Sequence, residues 1–147
     1  MRDFITNRTR ADVDRCSELI TKGYPNLTEE ERAEWVGVAM RGAYNYTDFN
    51  RVESAVEEAF VALEIPLLTK TDWNYYDAPN TSDVQRYLSN IATVKSECPN
   101  SIEFPILPSN LNNMTYVIAN NIEITMWLAL RYIDSVPRCG DLLCGEV

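Results

Sequence analysis

Histidine is absent from this chain of 147 residues. Its absence removes the commonest general base and the commonest zinc ligand, and it excludes Ser–His–Asp triads and Cys–His pairs. Glycine-rich phosphate loops are also missing, since neither G-x-G-x-x-G nor G-x-x-x-x-G-K-[ST] occurs. We therefore expect no enzyme, no cofactor and no nucleotide site.

Basic residues are scarce: 13 Lys and Arg stand against 22 Asp and Glu, for a net charge of −9. Nucleic-acid binding and attraction to anionic membrane surfaces both need clustered positive charge, so this balance disfavours them. A strongly acidic surface favours solubility or docking to a basic partner.

Long apolar runs are missing too. The longest stretches, such as residues 126–130, are far shorter than the roughly 20 residues of a membrane-spanning helix, so no membrane insertion is expected. Residues 1–5 carry no apolar h-region, so we expect no signal peptide and synthesis in a cytoplasm.

The 46% hydrophobic content and the length suit one globular domain. Apolar residues recur at helical spacing after capping residues in five segments, which predicts a mainly α fold of about five helices in a compact bundle. The predicted helices run from Thr9 to Gly23, from Thr28 to Gly42, from Thr47 to before Pro66, from Thr81 or Ser82 to before Pro99, and from Thr115 to about Ile133. Their predicted apolar positions include Val13, Cys16, Leu19, Ile20, Trp35, Val36, Met40, Phe49, Val52, Val56, Ala59, Phe60, Leu63, Val84, Tyr87, Leu88, Ile91, Val94, Val117, Ile118, Ile122, Met126, Ala129, Leu130 and Ile133.

This pattern divides the chain into a helical domain, residues 1–136, and a short C-terminal tail, residues 137–147. The tail carries two glycines and the pair Leu142 and Leu143, which predicts an extended segment or a small hairpin. It is a candidate connecting element that adds a strand to the sheet edge of a neighbour.

Two loops interrupt the helical pattern. Residues 99–113 hold apolar side chains, at Ile102, Phe104, Ile106 and Leu107, that are expected to pack on the helices. Residues 66–80 carry the aromatic cluster Trp73, Tyr75 and Tyr76, which is the best candidate binding surface. These rings either stack on a sugar or anchor a protein interface, or they plug the helix bundle from the loop.

The four cysteines offer a weak metal hypothesis. Cys139 and Cys144 are spaced C-x4-C, which could be half of a metal site completed by Cys16 and Cys98 or by a neighbouring subunit. The alternatives are two free thiols or one small disulfide. Cys16 lies at an apolar helical position and is predicted to be buried.

Carboxylates supply the remaining catalytic hypothesis. Glu29, Glu30 and Glu31 are explained by helix capping, and Glu57 and Glu58 by the polar face of the third helix. Only Asp72 and Asp77 lie in a loop with aromatics, where a pair of acids could hydrolyse a glycan.

The sequence also matches N-x-[ST] at Asn7, Asn26, Asn45, Asn80 and Asn113. Each match lies at or beside a predicted helix start, so these residues are interpreted as caps rather than glycosylation sites.

Several segments, taken in order, resemble a domain of phage and prophage structural proteins of Gram-positive bacteria that are often described as tail proteins. The segments are NRTRADVDR at 7–15, LTEEERAEW at 27–35, RGAYNYTDFNRV at 41–52, KTDW at 70–73, MTY at 114–116, ANNIE at 119–123 and CGEV at 144–147. The resemblance spans most of the chain. It implies a virion part of the tail or its distal apparatus, and it supplies no catalytic residues.

The resulting prediction is a non-enzymatic virion structural protein, made in the host cytoplasm and assembled with other virion proteins as a homo-oligomer. One alternative is a host-surface carbohydrate-binding module that uses the loop aromatics. A third hypothesis is a cytoplasmic adaptor.

Overall fold

The computed structural model describes residues 3–36 and 40–136, and within them the regular structure is helical. The helices are α1 (Arg10–Lys22), α2 (Glu29–Val36), α3 (Tyr46–Leu63), α4 (Thr81–Ser96) and α5 (Tyr116–Ser135), with a single 3₁₀ turn at Tyr24–Asn26. The predicted mainly α fold of five helices is confirmed. The predicted tail, residues 137–147, lies outside the described residues.

Three of the predicted caps are confirmed. Thr9 begins α1 and exchanges hydrogen bonds with Asp12, and Thr28 exchanges them with Glu31 at the start of α2. The Thr115 side chain accepts a hydrogen bond from the Ile118 amide at the start of α5. Each cap provides an acceptor for amide hydrogens that have no partner inside the helix.

The other two helices begin earlier than predicted. Asn45 caps α3 in place of the predicted Thr47, and Asn80 caps α4 in place of Thr81 or Ser82, which agrees with the interpretation of these two N-x-[ST] asparagines as caps. In both cases an aspartate three residues later completes the capping box. An asparagine oxygen accepts hydrogen bonds from first-turn amides as well as a threonine hydroxyl does. The residue types alone therefore did not show which of the neighbouring residues caps the helix.

The main core lies between α3, α4 and α5, which pack pairwise against one another. Its buried side chains follow the predicted helical period. They include Phe49, Val52, Val56, Ala59, Phe60, Tyr87, Leu88, Ile91, Val94, Ile122, Met126, Ala129, Leu130 and Ile133. Burial of these faces is the principal stabilisation of the fold.

A second, smaller apolar cluster joins α1 to the chain around α2. Cys16 and Leu19 of α1 pack there with Leu27 and Met40. Ion pairs from Arg15 to Glu34 (2.9 Å) and from Lys22 to Glu31 (2.6 Å) connect the same two helices. We call this part of the fold, residues 10–36 and 40–43, the satellite unit.

The prediction that the second helix continues to Gly42 is wrong. Met40 lies outside any helix, and residues 41–43 form a turn. The turn passes so close to α1 that a Cβ atom built on Gly42 would lie 2.0 Å from the Asp12 carbonyl oxygen. Close backbone approach of this kind requires glycine.

Four predicted apolar positions are exposed instead of buried: Ile20, Val36, Ile106 and Val117. Ile20 adjoins the buried Leu19 on α1, and Val117 lies two positions before the buried Ala119 on α5, but the packed stripe of each helix is narrower than the pattern suggested. In residues 99–113, Ile102, Phe104 and Leu107 do pack on the main core.

Gly42→Ala is expected to destabilise the fold by more than about 2 kcal/mol, because the added methyl group must push the turn away from the α1 backbone. Urea unfolding followed by circular dichroism measures the loss. Gly23→Ala tests backbone conformation instead of space. Gly23 has φ 76° and ψ 140°, and only the Asn26 side-chain amide nitrogen lies near its Cβ position, at 4.0 Å, so the substitution should cost about 1–3 kcal/mol through backbone strain. A loss below about 1 kcal/mol at Gly42 would contradict the close approach.

Candidate functional site

The loop between α3 and α4 carries the aromatic residues singled out in the sequence, and helix side chains fix its path. The Asn50 amide group donates to the Trp73 carbonyl oxygen and accepts from the Trp73 amide, both at 2.8 Å. Asn90 of α4 donates to the Leu68 carbonyl oxygen at 2.8 Å. Because these bonds hold backbone atoms, the loop presents its side chains in one fixed arrangement.

Trp73 faces the core and not solvent. Its side chain is 5% exposed, and its ring centroid lies 5.5 Å from that of Phe49. The Lys70 ammonium group lies 4.3 Å above the same ring. The indole is thus enclosed by protein, which favours the core-packing alternative for Trp73 over sugar stacking.

Tyr75 and Tyr76 project from the tip of the loop and are 55% and 91% exposed. The tip is built by Asn74 and Asp77: the Asn74 side chain accepts from the Tyr76 amide, and the Asp77 carboxylate accepts from the Asn74 amide, both at 3.0 Å. The hydrogen bonds of this turn set the positions of the two rings, so the rings point outward although they are not packed in the core.

Rings from three other segments extend this exposed pair into a continuous surface. Tyr75 lies 6.4 Å from Tyr46 and 5.4 Å from Tyr76, measured between ring centroids. The Trp35 indole nitrogen donates to the Tyr75 hydroxyl at 3.4 Å, and Tyr24 lies edge-on to Trp35 at 6.3 Å. We call these five residues the aromatic surface. It joins the satellite unit to the main body.

Only two members of the aromatic surface were predicted as contact residues. Tyr75 and Tyr76 adjoin one another in the chain, whereas Tyr24, Trp35 and Tyr46 come from separate elements and reach the surface through the fold. A shallow cleft of about 190 Å³ lies beside it, lined in part by Tyr44, Trp73 and Pro79. The buried Trp73 Nε1 group has no acceptor among the described residues.

The two acids proposed as a catalytic pair lie in the same loop. Asp72 is exposed, and Asp77 accepts hydrogen bonds at the loop tip. The backbone hydrogen bond from Asn74, together with Lys70 at 3.5 Å, holds the pKa of Asp77 below its usual value. A general acid needs a raised pKa, so Asp77 is tuned in the opposite direction.

A buried ionic cluster lies where residues 3–9 cross α3 and α5. Arg8 and Glu123 are 4% and 0% exposed, and the Arg8 Nη2 group donates to Asp48 at 2.7 Å and to Glu123 at 2.8 Å. Arg51 donates to the same two carboxylates. Burial raises the pKa of Asp48 although Arg8 acts in the other direction. Two guanidinium groups therefore neutralise two carboxylates inside the fold.

The cluster also fixes the extended residues that precede α1. The Ile5 amide donates to Glu123 at 2.6 Å, and Arg8 donates to the Ile5 carbonyl oxygen at 2.6 Å. The Asn120 side chain of α5 holds both the amide and the carbonyl of Arg8 at 3.0 Å. None of these roles was predicted from the sequence, because isolated Arg, Asn and Glu residues ordinarily indicate exposed positions.

The cysteines that the structure describes lie apart. Cys16 is buried as predicted, in the satellite unit, while Cys98 is buried against the main core, and both are free thiols. Burial raises the pKa of each thiol. Cys139, Cys144, Leu142 and Leu143 lie outside the described residues. Within residues 3–36 and 40–136, no group of three or more His, Cys, Asp or Glu side chains is arranged to hold a metal ion.

None of the described helices combines the length and the apolar character needed to cross a membrane. Comparisons with protein-family models, with curated proteins and with solved structures give no match to this chain.

Proposed function

We propose that this chain is a non-enzymatic structural part of a bacteriophage virion, in the tail or its distal apparatus, and that it assembles with copies of itself and with other virion proteins. The aromatic surface is the observation that carries the assembly part of this proposal. The ordered motifs that resemble phage structural proteins supply the biological setting.

The composition of the aromatic surface suits a protein interface. Tyr, Trp and Arg dominate the binding energy of interfaces, because the aromatic rings bury large areas with few rotatable bonds and the guanidinium group supplies several hydrogen-bond donors. Arg32 adds a guanidinium group 5.4 Å from the Tyr24 ring and donates to the Pro25 carbonyl oxygen. The patch therefore combines apolar area with hydroxyl and guanidinium donors.

Pre-organisation strengthens this argument. The tip of the loop is fixed by Asn74 and Asp77, and its base by Asn50. Docking to a rigid surface loses less conformational entropy than docking to a mobile loop, so more of the contact energy remains as affinity.

The double variant Tyr75→Ser/Tyr76→Ser is expected to weaken self-association by roughly thirtyfold, about 2 kcal/mol, since Tyr75 contacts three other members of the patch and Tyr76 is its most exposed ring. Light scattering after size exclusion, over a concentration series, measures the change. Ile106→Ser is the control, because Ile106 is an exposed apolar residue of another loop and should leave the mass unchanged.

Salt separates two kinds of association. A contact between copies of a chain with a net charge of −9 should strengthen as salt rises, because screening reduces repulsion, whereas a basic partner would be released. A wild-type chain that stays monomeric at all concentrations would contradict self-assembly. Absence of the chain from purified phage particles would contradict the virion role.

The carbohydrate-binding alternative now depends on Tyr75 and Tyr76, because the Trp73 ring is enclosed. A double variant that keeps the wild-type mass but loses binding to wall polysaccharide would favour it over assembly.

A further inference from the structure

We propose that a cleft lined by three arginines binds an organic oxyanion, a phosphate or carboxylate group carried on a small apolar or aromatic body. The cleft lies beside the first turn of α1, the turn at residues 41–43 and the start of α5, and has a volume of about 360 Å³. Its positive side chains are Arg8, Arg10 and Arg41. We call it the arginine cleft; it does not include the aromatic surface.

Unused donors are the first observation. Arg8 is 4% exposed and lines the cleft, yet its buried Nε hydrogen has no acceptor among the described residues. The same holds for the Nε hydrogen of Arg41, which also lines the cleft. A buried donor without an acceptor costs about 1–3 kcal/mol, more when charged, so both arginines would gain from an acceptor brought to this wall of the cleft.

The second observation is the balance of charge around these donors. Arg8 is neutralised by the ionic cluster, and Arg10 pairs with Asp14 at 2.9 Å. Arg41 donates to the neutral Asn7 side chain, and no carboxylate in the described part of the chain forms an ion pair with it. The Thr9 amide is the main cause that lowers the pKa of Asp12, and the charges of Arg41 and Arg8 add to it, so the Arg41 charge is offset in part. Its guanidinium group is nevertheless not held by a carboxylate and can contact a ligand.

Among the residues that the structure describes, no acidic side chain lines the cleft. Asp12, which lies in the first turn of α1, directs its carboxylate to the Thr9 amide and hydroxyl. The overall charge of −9 repels anions at long range, but screening limits that effect to about 8 Å at physiological salt. Arginines in direct contact then decide the local attraction.

The start of α5 adds to the positive electrostatic field in the cleft. Thr115 and Tyr116 at the start of α5 line the cleft, and the first turn of α5 carries no acidic residue. The positive end of the helix dipole and its first amide hydrogens therefore act together with the guanidinium groups.

The remaining walls are apolar, which argues for more than a bare ion. Val13, Ala43, Met114 and Ala119 line the cleft together with the Tyr44 and Tyr116 rings. Ligand sites characteristically combine such walls with a few polar groups that fix orientation. A guanidinium group binds phosphate and carboxylate alike, so the shared chemistry is an oxyanion on an apolar body.

Titration with phenyl phosphate, benzoate and inorganic phosphate, at constant ionic strength, tests the proposal by calorimetry. Phenyl phosphate or benzoate should bind more tightly than inorganic phosphate, and the tighter of the two identifies the preferred group. Arg41→Gln should weaken that binding by roughly tenfold or more, because it removes a charged donor. Arg131→Gln, which removes an arginine that does not line the cleft, should leave the binding unchanged.

The Nε–Hε signals of Arg8 and Arg41 in a ¹⁵N-correlated NMR spectrum provide a direct second measurement. Both should shift during the titration of the wild-type chain, and the Arg8 signal reports on the site without any substitution in the ionic cluster. No binding at millimolar concentration, inorganic phosphate binding as tightly as the organic anions, equal weakening by Arg131→Gln, or unmoved Nε–Hε signals would each overturn the proposal.

Discussion

Glu123→Ala is expected to destabilise the fold by about 3–5 kcal/mol, one of the two largest effects that the structure predicts. The Glu123 side chain is fully buried and accepts hydrogen bonds from Arg8, from Arg51 and from the Ile5 amide. Its removal leaves two buried guanidinium groups that share only Asp48. The free energy of unfolding, from urea titration followed by circular dichroism, measures the loss.

Two further variants separate the charge of Glu123 from its shape. Glu123→Gln keeps a side chain of similar size but removes the negative charge, so it should also destabilise the fold, by less than the alanine variant. Glu57→Ala, on the exposed face of α3, is the control and should change stability by no more than about 0.5 kcal/mol. A loss below about 1 kcal/mol for Glu123→Ala would show that the buried arginines do not depend on this carboxylate.

The ionic cluster could not be predicted from the sequence. Arg8, Asp48 and Glu123 are separated by at least 40 positions in the chain. Asp48 lies in the first turn of α3, where a carboxylate is favoured, but that local role gives no sign of its burial. A long-range pairing of charges requires knowledge of which helices pack together, and periodicity within one helix does not supply it.

Local signals, by contrast, were sufficient for most of the fold. The apolar period of α3 predicted the burial of Phe49, Val52, Val56, Ala59 and Phe60, and all five lie in the main core. The same kind of signal failed at the second helix, where Met40 is buried but not helical. An apolar residue that is buried in a turn looks the same in the sequence as one that is buried on a helix face.

In the candidate site, too, local signals in the sequence predicted some features and missed others. Three aromatics within four positions predicted a functional loop, yet the loop separates them: Trp73 is buried while Tyr75 and Tyr76 are exposed. The separation arises because Asn50 fixes the backbone at Trp73, 23 residues away along the chain. Nothing in the composition of the loop distinguishes the tryptophan from the tyrosines in this respect.

Trp73→Ala is the second large prediction, and it decides between the two roles that the sequence left open for this residue. Removal of the buried indole should destabilise the fold by about 3–5 kcal/mol, because it leaves a cavity between Phe49 and Lys70 that the backbone, held by Asn50, cannot close. Urea unfolding measures the loss, with circular dichroism as the probe because the variant lacks one fluorophore.

Trp127→Ala is the matched control for that variant, since Trp127 is 37% exposed on α5, with Arg131 4.7 Å from its ring. It should cost clearly less than Trp73→Ala, because solvent fills part of the space that the ring leaves. If Trp73→Ala kept wild-type stability and instead lost binding to wall polysaccharide, Trp73 would be a sugar-stacking ring and the loop would have to open in solution. A large loss of stability assigns Trp73 to the core and leaves Tyr75 and Tyr76 as the contact residues of the loop.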